Sequence, residues 1–118
     1  MKIGTLAGTI VLTLVLGLGC GGQLRESGEL TRIVQLEQSA EAGASLYVNK
    51  CGLCHGRTGL GGSAPSLRMA TPSMSDEELA EQILEGGFSM PAIRVPPQEA
   101  MHIVAWLRAE FPRLAERK

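Results

Sequence analysis

Two cysteines and a histidine stand together in the segment Cys51-Gly52-Leu53-Cys54-His55. Each thiol can form a thioether to one vinyl group of a porphyrin, and the imidazole that follows is then held beneath the ring, where it can bind iron. Two covalent attachments restrain the ring against the backbone, so that His55 becomes the proximal ligand by geometry. The spacing therefore predicts one covalently bound haem c, attached through Cys51 and Cys54.

Other uses of a Cys-x-x-Cys pair are less well supported by this sequence. A structural zinc site needs four ligands, and the remaining cysteine and histidine candidates are Cys20 and His102. A dithiol redox motif requires a strand–helix context, and no strand-rich pattern surrounds this pair. A pair of buried structural cysteines would leave the adjoining His55 unexplained.

A haem iron bound by one histidine has a second axial position, and its occupant decides between an electron carrier and a reactive site. The sequence offers five candidates: Met69, Met74, Met90, Met101 and His102. The two methionines before the middle helix are expected to fill gaps in the core, and the pair inside the last helix to pack or to be exposed. Met90 differs because Pro91 biases it toward an extended backbone, which lets its side chain project from a loop.

The first domain helix is predicted from about Ala40 to Lys50, with Ser39 as its N-cap. Gly43 lies within it, on the same face as Tyr47. Because glycine lowers helix propensity, its presence predicts a close approach by another helix.

Two further helices are predicted downstream. The segment Ser75-Asp76-Glu77-Glu78 forms a capping box with acidic first-turn residues, and the middle helix that it opens ends at Gly86-Gly87. The last helix begins at Pro97 and is ended by Pro112. No stretch alternates like a strand, so we predict an all-α fold of three main helices joined by loops rich in glycine and proline.

Residues 1–19 have the pattern of a targeting segment, because Met1-Lys2 precedes an uncharged apolar run over residues 3–19. A signal peptide is the favoured interpretation. An N-terminal anchor is the alternative, since the run is at the short limit of the roughly 17 to 25 residues that span a bilayer. Either interpretation predicts export to the periplasmic side of the bacterial inner membrane, with the domain anchored there or soluble in the periplasm.

The residue behind this run, Cys20, stands in a setting that resembles a bacterial lipoprotein signal, in which such a cysteine is lipidated. Gly19 fits that pattern, whereas Gly17 and Leu18 depart from it. A lipid on Cys20 is the favoured interpretation, and an unmodified cysteine is the alternative. Residues 20–39 are predicted to form a tether. The alternative is that their aliphatic residues dock part of the segment on the domain: Leu30, Ile33, Val34 and Leu36.

The composition limits both the partners and the core. A net charge of −1 lacks the electrostatic footprint of a nucleic-acid binder, so no nucleic-acid partner is expected. The predicted domain, residues 40–118, has few large side chains with which to fill a core. Its aromatic residues are Tyr47, Phe88, Trp106 and Phe111. A buried haem would make up that deficit.

With these residues in place, the region from about Ala40 to Phe111 resembles a small class I c-type cytochrome of bacteria. The motifs that carry the resemblance follow the family's order: Gly43 and Tyr47 in the first helix, Cys51-x-x-Cys54-His55-Gly56, Pro65-Ser66-Leu67, Gly86-x-x-x-Met90-Pro91, and Trp106-Leu107 in the last helix. The resemblance covers nearly all of the exported domain. It implies the cytochrome c fold, with helices and loops wrapped around one haem.

The resemblance also implies roles for individual residues. Cys51 and Cys54 would form the thioethers. His55 would be the proximal iron ligand and Met90 the distal one. Pro65 would offer its backbone carbonyl to the Nδ1–H of His55, the type of contact that orients a ligating imidazole.

By the same resemblance, the first and last helices cross closely, and Gly43 makes room near Trp106. The ring of lysines familiar in mitochondrial members of the family is absent, since the exported domain has only Lys50 and Lys118. Docking of a partner by a ring of lysines is therefore not expected.

Ligation of iron by His55 and Met90 predicts an electron carrier in a respiratory or periplasmic redox chain, not an enzyme, because no axial position remains open to a substrate. Its partners would be redox proteins or respiratory complexes, with the membrane surface reached through Cys20 or the N-terminal segment. Two alternatives stay open. The chain could be the cytochrome subunit of a larger membrane-bound oxidoreductase, or a haem sensor or peroxidase whose methionine ligand detaches.

Overall fold

The computed structural model describes residues 27–114, so the predicted targeting segment and Cys20 lie outside the described residues. Within that range the chain forms α-helices and one 3-10 turn. They are α1 Ser27–Ile33, α2 Ala40–Lys50, α3 Gly52–His55, α4 Leu67–Ala70, the 3-10 turn Thr71–Ser73, α5 Asp76–Glu85 and α6 Pro97–Glu110. No strand occurs in residues 27–114, which confirms the all-α prediction, with α2, α5 and α6 as the three main helices.

The first helix, α1, lies within the segment predicted as a tether. Ile33 is buried, Leu30 and Val34 pack against the same core, and Leu36 is exposed. These three packed residues share one helix face, and that face contacts α5 and α6. Residues 27–36 therefore correspond to the docked alternative and not to a free tether, because the helix collects three aliphatic side chains on one side.

The domain is built around the crossing of α2 and α6 at Gly43. A Cβ atom at this position would lie 1.9 Å from the backbone oxygen of His102 and 2.9 Å from the Cβ of Trp106. One turn further along α2, the ring of Tyr47 stacks on Trp106 with centroids 3.9 Å apart. The predicted close approach is confirmed, and glycine permits it because it has no side chain.

A side chain of α6 also joins the start of α2. The hydroxyl of Ser39 accepts the N–H of Ala42, which confirms the predicted N-cap. The backbone N–H of Ser39 donates to Nδ1 of His102 at 3.0 Å. This contact gives His102 a packing role between two helices.

The middle helix, α5, begins at the predicted capping box. The Ser75 hydroxyl accepts the N–H of Glu78, and the Glu78 carboxylate accepts the N–H of Ser75 at 2.6 Å. The helix ends at Gly86, as predicted. Its buried face, which includes Ile83, packs against α6.

Arg108 of α6 ties that helix to the segment that precedes and opens α5. Its Nε donates to Asp76 at 2.7 Å, and its terminal nitrogens donate to the backbone oxygens of Thr71 and Met74 at 2.8 and 2.6 Å. Burial raises the pKa of Asp76, but the hydrogen bonds and charges of Arg108 and Arg113 together outweigh burial, so the pKa lies below its ordinary value. Asp76 is therefore ionised at neutral pH, and the largely buried guanidinium of Arg108 has charge-assisted partners.

We predict that Gly43→Ala destabilises the protein by about 3 kcal/mol, because the added methyl group would force α2 and α6 apart. The measurement is the free energy of unfolding in denaturant, followed by far-ultraviolet circular dichroism on the haem-loaded protein.

The matched control is Gly28→Ala in α1, where a Cβ atom would meet nothing within 4 Å. That variant should keep or slightly raise the stability, by up to about 1 kcal/mol, because alanine is the better helix former. Equal stability of the Gly43→Ala variant and the unmodified protein would contradict the close crossing.

Candidate functional site

The Cys-x-x-Cys-His segment follows α2 without a connecting loop. Cys51 closes α2 by donating its N–H to the carbonyl of Tyr47 at 2.8 Å, and it also opens the single turn of α3. Its carbonyl accepts the N–H groups of Cys54 and His55 at 3.2 and 2.9 Å. The motif is thus held on a helical turn whose direction is set by α2.

The two thiols of the motif lie in different surroundings. Cys51 is buried, whereas Cys54 is exposed. Burial, with a smaller contribution from the nearby Cys54 thiolate, raises the pKa of Cys51 to about 11. An unattached Cys51 is therefore a neutral thiol at physiological pH.

The loop after the motif folds back and contacts the histidine. The Nδ1 atom of His55 lies 2.8 Å from the backbone oxygen of Pro65. A carbonyl oxygen only accepts, so the proton resides on Nδ1, and the lone pair of Nε2 is free to bind a metal. The N–H of Gly61 donates to the His55 carbonyl at 2.9 Å and holds the same loop in place.

Tyr47 supports this loop from inside the domain. Its buried hydroxyl donates to the backbone oxygen of Gly56 at 2.8 Å. Burial, followed by the charge of an ionised Cys51, raises the pKa of Tyr47 to about 12. The Cys51 contribution disappears once that sulfur is a thioether, but burial, the larger cause, remains.

An apolar cavity of about 330 Å³ opens beside His55, within the range of small-molecule and cofactor sites. Aliphatic residues form much of its wall: Leu67, Leu79, Ile83, Ile103 and Leu107. Side chains with donor, acceptor or sulfur atoms also line it: Tyr47, Cys51, His55, Thr71, Met74, Gln82 and Met90. The fold therefore brings the motif, Pro65 and Met90 to one cavity, although they are distant in sequence.

Met90 reaches the cavity from a tight turn between α5 and α6. Gly87 and Met90 exchange two backbone hydrogen bonds of 3.0 and 2.9 Å, which close the turn Gly87-Phe88-Ser89-Met90. Phe88 at the tip has a φ of +50° and is fully exposed. The side chain of Met90 is partly buried and lines the cavity, so it projects from a loop, as predicted.

The other candidates for an axial ligand are placed differently. Met74 also lines the cavity. Met69 is 80% exposed, and Met101 is fully buried but does not line the cavity. His102 contacts Ser39 at the far end of α2. The structure therefore leaves Met74 and Met90 as the two methionines that share a cavity with His55.

A buried hydroxyl group in the cavity wall shows whether the cavity fits a haem. Thr71 is fully buried and lines the cavity, and its Oγ1 has no hydrogen-bond partner in residues 27–114. A buried hydroxyl without a hydrogen-bond partner costs about 1–3 kcal/mol of stability, so a bound group with an acceptor atom would stabilise the site. A haem supplies carboxylate acceptors on an otherwise apolar ring, and the residues present fit that group.

Three residues at or around this site were missed by sequence reasoning: Thr71, Gln82 and Arg108. The position of each depends on contacts with other elements of the fold. No local pattern marks them, in contrast to the capping box at Ser75. The arginines Arg57, Arg68 and Arg94 are exposed and do not line the cavity.

An all-helical domain whose haem-attachment motif borders an apolar cavity defines a c-type cytochrome, an electron-transfer protein with covalently bound haem c. The chain belongs to the family described as cytochrome c oxidase, cbb3-type, subunit III, which matches residues 38–107. No curated protein matches the chain.

Solved structures of c-type cytochromes resemble this fold. Cytochrome cL from the marine methylotrophic bacterium Methylophaga aminisulfidivorans MPT is 30% identical, with a TM-score of 0.55 over 61% of this chain and 53% of that one. The c-type cytochrome KustC0563 is 29% identical, with a TM-score of 0.52 over 58% of this chain and 96% of that one.

Cytochrome cL from Hyphomicrobium denitrificans shares the fold, with a TM-score of 0.56 and 21% identity over 81% of this chain and 61% of that one. The chain thus spans roughly half to three fifths of the length of the two cytochromes cL.

Two features are absent from residues 27–114. In that range no helix is both long and apolar enough to cross a membrane. Nor do three or more histidine, cysteine or acidic side chains in this range come together as a metal site.

We predict that the single tyrosine of the chain, Tyr47, titrates well above pH 10 and at most near 12 in the folded protein, and near 10 in denaturant. Because the folded-state pKa is the higher one, this group's contribution to stability is complete below pH 10 and is lost as the pH rises toward 12. The measurement is nuclear magnetic resonance of isotope-labelled tyrosine in the haem-loaded protein. Tyr47→Phe should remove the signal, and a midpoint near 10 in the folded state would contradict the buried hydroxyl.

Proposed function

We propose that the chain is an electron carrier whose haem iron is bound by His55 on one side and by Met90 on the other. The observation that supports this proposal is that one apolar cavity is lined by His55, Met90 and Cys51 together. His55 is oriented by Pro65, and Met90 by the turn that begins at Gly87.

A haem supplies reversible one-electron chemistry at its iron. Cys51 and Cys54 would hold the ring, and His55 would present Nε2 to the metal. The thioether of Met90 is a soft ligand that favours the reduced ion, so this pair of ligands raises the reduction potential above that of two nitrogen ligands. With His55 and Met90 both bound to iron, no site would be left for a substrate, and the haem would supply outer-sphere transfer of an electron.

The apolar wall of the cavity also raises the reduction potential. Low polarity disfavours the oxidised state, which carries the additional positive charge. Exposed apolar side chains border the motif and the Met90 turn, since Leu53 between the two cysteines is 92% exposed and Phe88 is fully exposed. Contact with a redox partner through such side chains fits the absence of a lysine ring.

A second function is favoured by the family description, which names a subunit of a cytochrome c oxidase of the cbb3 type. In that case the chain works as the cytochrome subunit of a larger membrane-bound oxidoreductase. Purification from membranes at moderate salt separates the two functions. A subunit copurifies with its enzyme in fixed stoichiometry, and a free carrier does not.

We also propose that the mature protein is exported and carries a lipid on Cys20, which would keep the domain at the membrane surface and raise its local concentration near partners. The proposal is supported by the sequence of residues 1–20.

The intact mass of the protein, produced in a host that attaches haem, should equal the chain without residues 1–19 plus one haem and a lipid. Cys20→Ser should lack the lipid and leave the membrane fraction. Retention of residues 1–19 would contradict lipidation, and free thiols at Cys51 and Cys54 would contradict haem attachment.

Replacement of Met90 tests the distal ligand. Met90→Ala should lose the iron–sulfur charge-transfer band and lower the reduction potential by the equivalent of at least a tenfold change, about 59 mV for one electron. The reduced variant should bind carbon monoxide, whereas the reduced unmodified protein should not. Met69→Ala is the matched control, because Met69 is 80% exposed and lies outside the cavity lining.

Two results would contradict the proposed ligation. If Met90→Ala keeps the charge-transfer band and Met74→Ala loses it, Met74 is the ligand. If the unmodified reduced protein binds carbon monoxide readily at neutral pH, the iron has an open or labile position, as in a sensor or peroxidase.

A further inference from the structure

The side chain of Gln82 contacts the sulfur of Met90. Its Nε2 lies 3.5 Å from Sδ, within hydrogen-bond distance for a sulfur acceptor, and both residues line the cavity beside His55. Sulfur in a thioether has no proton, so the amide N–H is the donor in this contact.

The backbone of Gln82 is joined to the residue that precedes the Met90 turn. Its carbonyl accepts the N–H of Gly86 at 3.0 Å, which ends α5. A Cβ atom at Gly87 would lie 3.3 Å from both Nε2 and Oε1 of Gln82, so the amide rests against the backbone of Gly87. Gln82 therefore binds the residue before the Met90 turn through its main chain and the last residue of the turn through its side chain.

We propose that Gln82 is a positioning residue for Met90, whose amide fixes the sulfur and draws electron density from it. The proposal rests on the proposed ligation of iron by Met90. A thioether sulfur has two lone pairs, so a hydrogen bond to one leaves the other available to a metal.

Two consequences follow from the chemistry of this contact. A sulfur that accepts a hydrogen bond is a weaker electron donor, which disfavours the oxidised ion more than the reduced one and raises the reduction potential. Methionine is also unbranched, with three rotatable bonds, so loss of the contact frees its side chain to move. Removal of the donor should therefore lower the potential. It should also make Met90 easier to displace, because we expect the freedom of its side chain to outweigh the stronger donation by the sulfur.

The test is Gln82→Leu in the haem-loaded protein, because leucine fills the space without a donor. A hydrogen bond of ordinary strength corresponds to about a fivefold change in an equilibrium constant. The one-electron equilibrium should shift about fivefold toward the oxidised state, roughly 40 mV at 59 mV per tenfold change. Imidazole, used as a competing ligand of the oxidised protein, should bind several-fold more tightly.

The matched control is Gln98→Leu. Gln98 donates to the backbone oxygen of Glu37 and approaches His102, and it does not line the cavity. It should leave both the potential and imidazole binding unchanged. If Gln82→Leu matches this control in both measurements, the proposal is overturned.

If the Gln82→Leu variant does not bind haem, a second variant tests the same proposal. Gln82→Val also has no donor and adds no charge to the cavity, so the same two shifts are expected, and their absence overturns the proposal. If Met90 is not the iron ligand, the Met90→Ala variant keeps the charge-transfer band, and this result is distinct from the outcome for Gln82. If Met90→Ala loses that band while the Gln82 variants behave as the control, only the inference on Gln82 fails.

Discussion

The close crossing of α2 and α6 is the constraint on which the rest of the domain depends. At Gly43 the two backbones approach so closely that a single methyl group would overlap the carbonyl oxygen of His102. This approach lets Tyr47 stack on Trp106 one turn later. Because the attachment motif follows α2 without a loop, the same crossing also determines where Cys51 lies relative to the floor of the cavity on α6. A residue without a side chain thus sets the position of the site.

The other side of the cavity depends on a polar contact. Arg108 reaches from α6 to Asp76 and to the backbone oxygens of Thr71 and Met74, and so holds the segment before α5 against α6. A guanidinium in this largely buried position is tolerated because an ionised carboxylate and two carbonyls satisfy its donors. The helix α6 therefore packs against α2, forms part of the cavity floor and holds the segment before α5 in place. Stability of the domain and the shape of its cofactor site are consequences of the same packing.

Features that depend on neighbours in the chain were predicted from the sequence. The capping box at Ser75 and the N-cap at Ser39 need only residues three positions away, and both are present. The docking of α1 was the less favoured interpretation, because the aliphatic residues around Ile33 fit a tether as well as a short helix. The sequence showed four aliphatic positions but not the surface of α5 and α6 that covers three of them.

The sequence by itself determined the order of the helices and predicted the covalent attachment of haem, because the signals at helix ends and the spacing of Cys51, Cys54 and His55 act over a few residues. Only the tertiary structure decided which methionines line a cavity with His55, that Thr71 is buried without a partner in the described part of the chain, and that Gln82 contacts Met90. The physical reason is that these groups lie on separate segments. Their distances are set by the packing of helices and by the return of loops, which no local pattern of residues encodes.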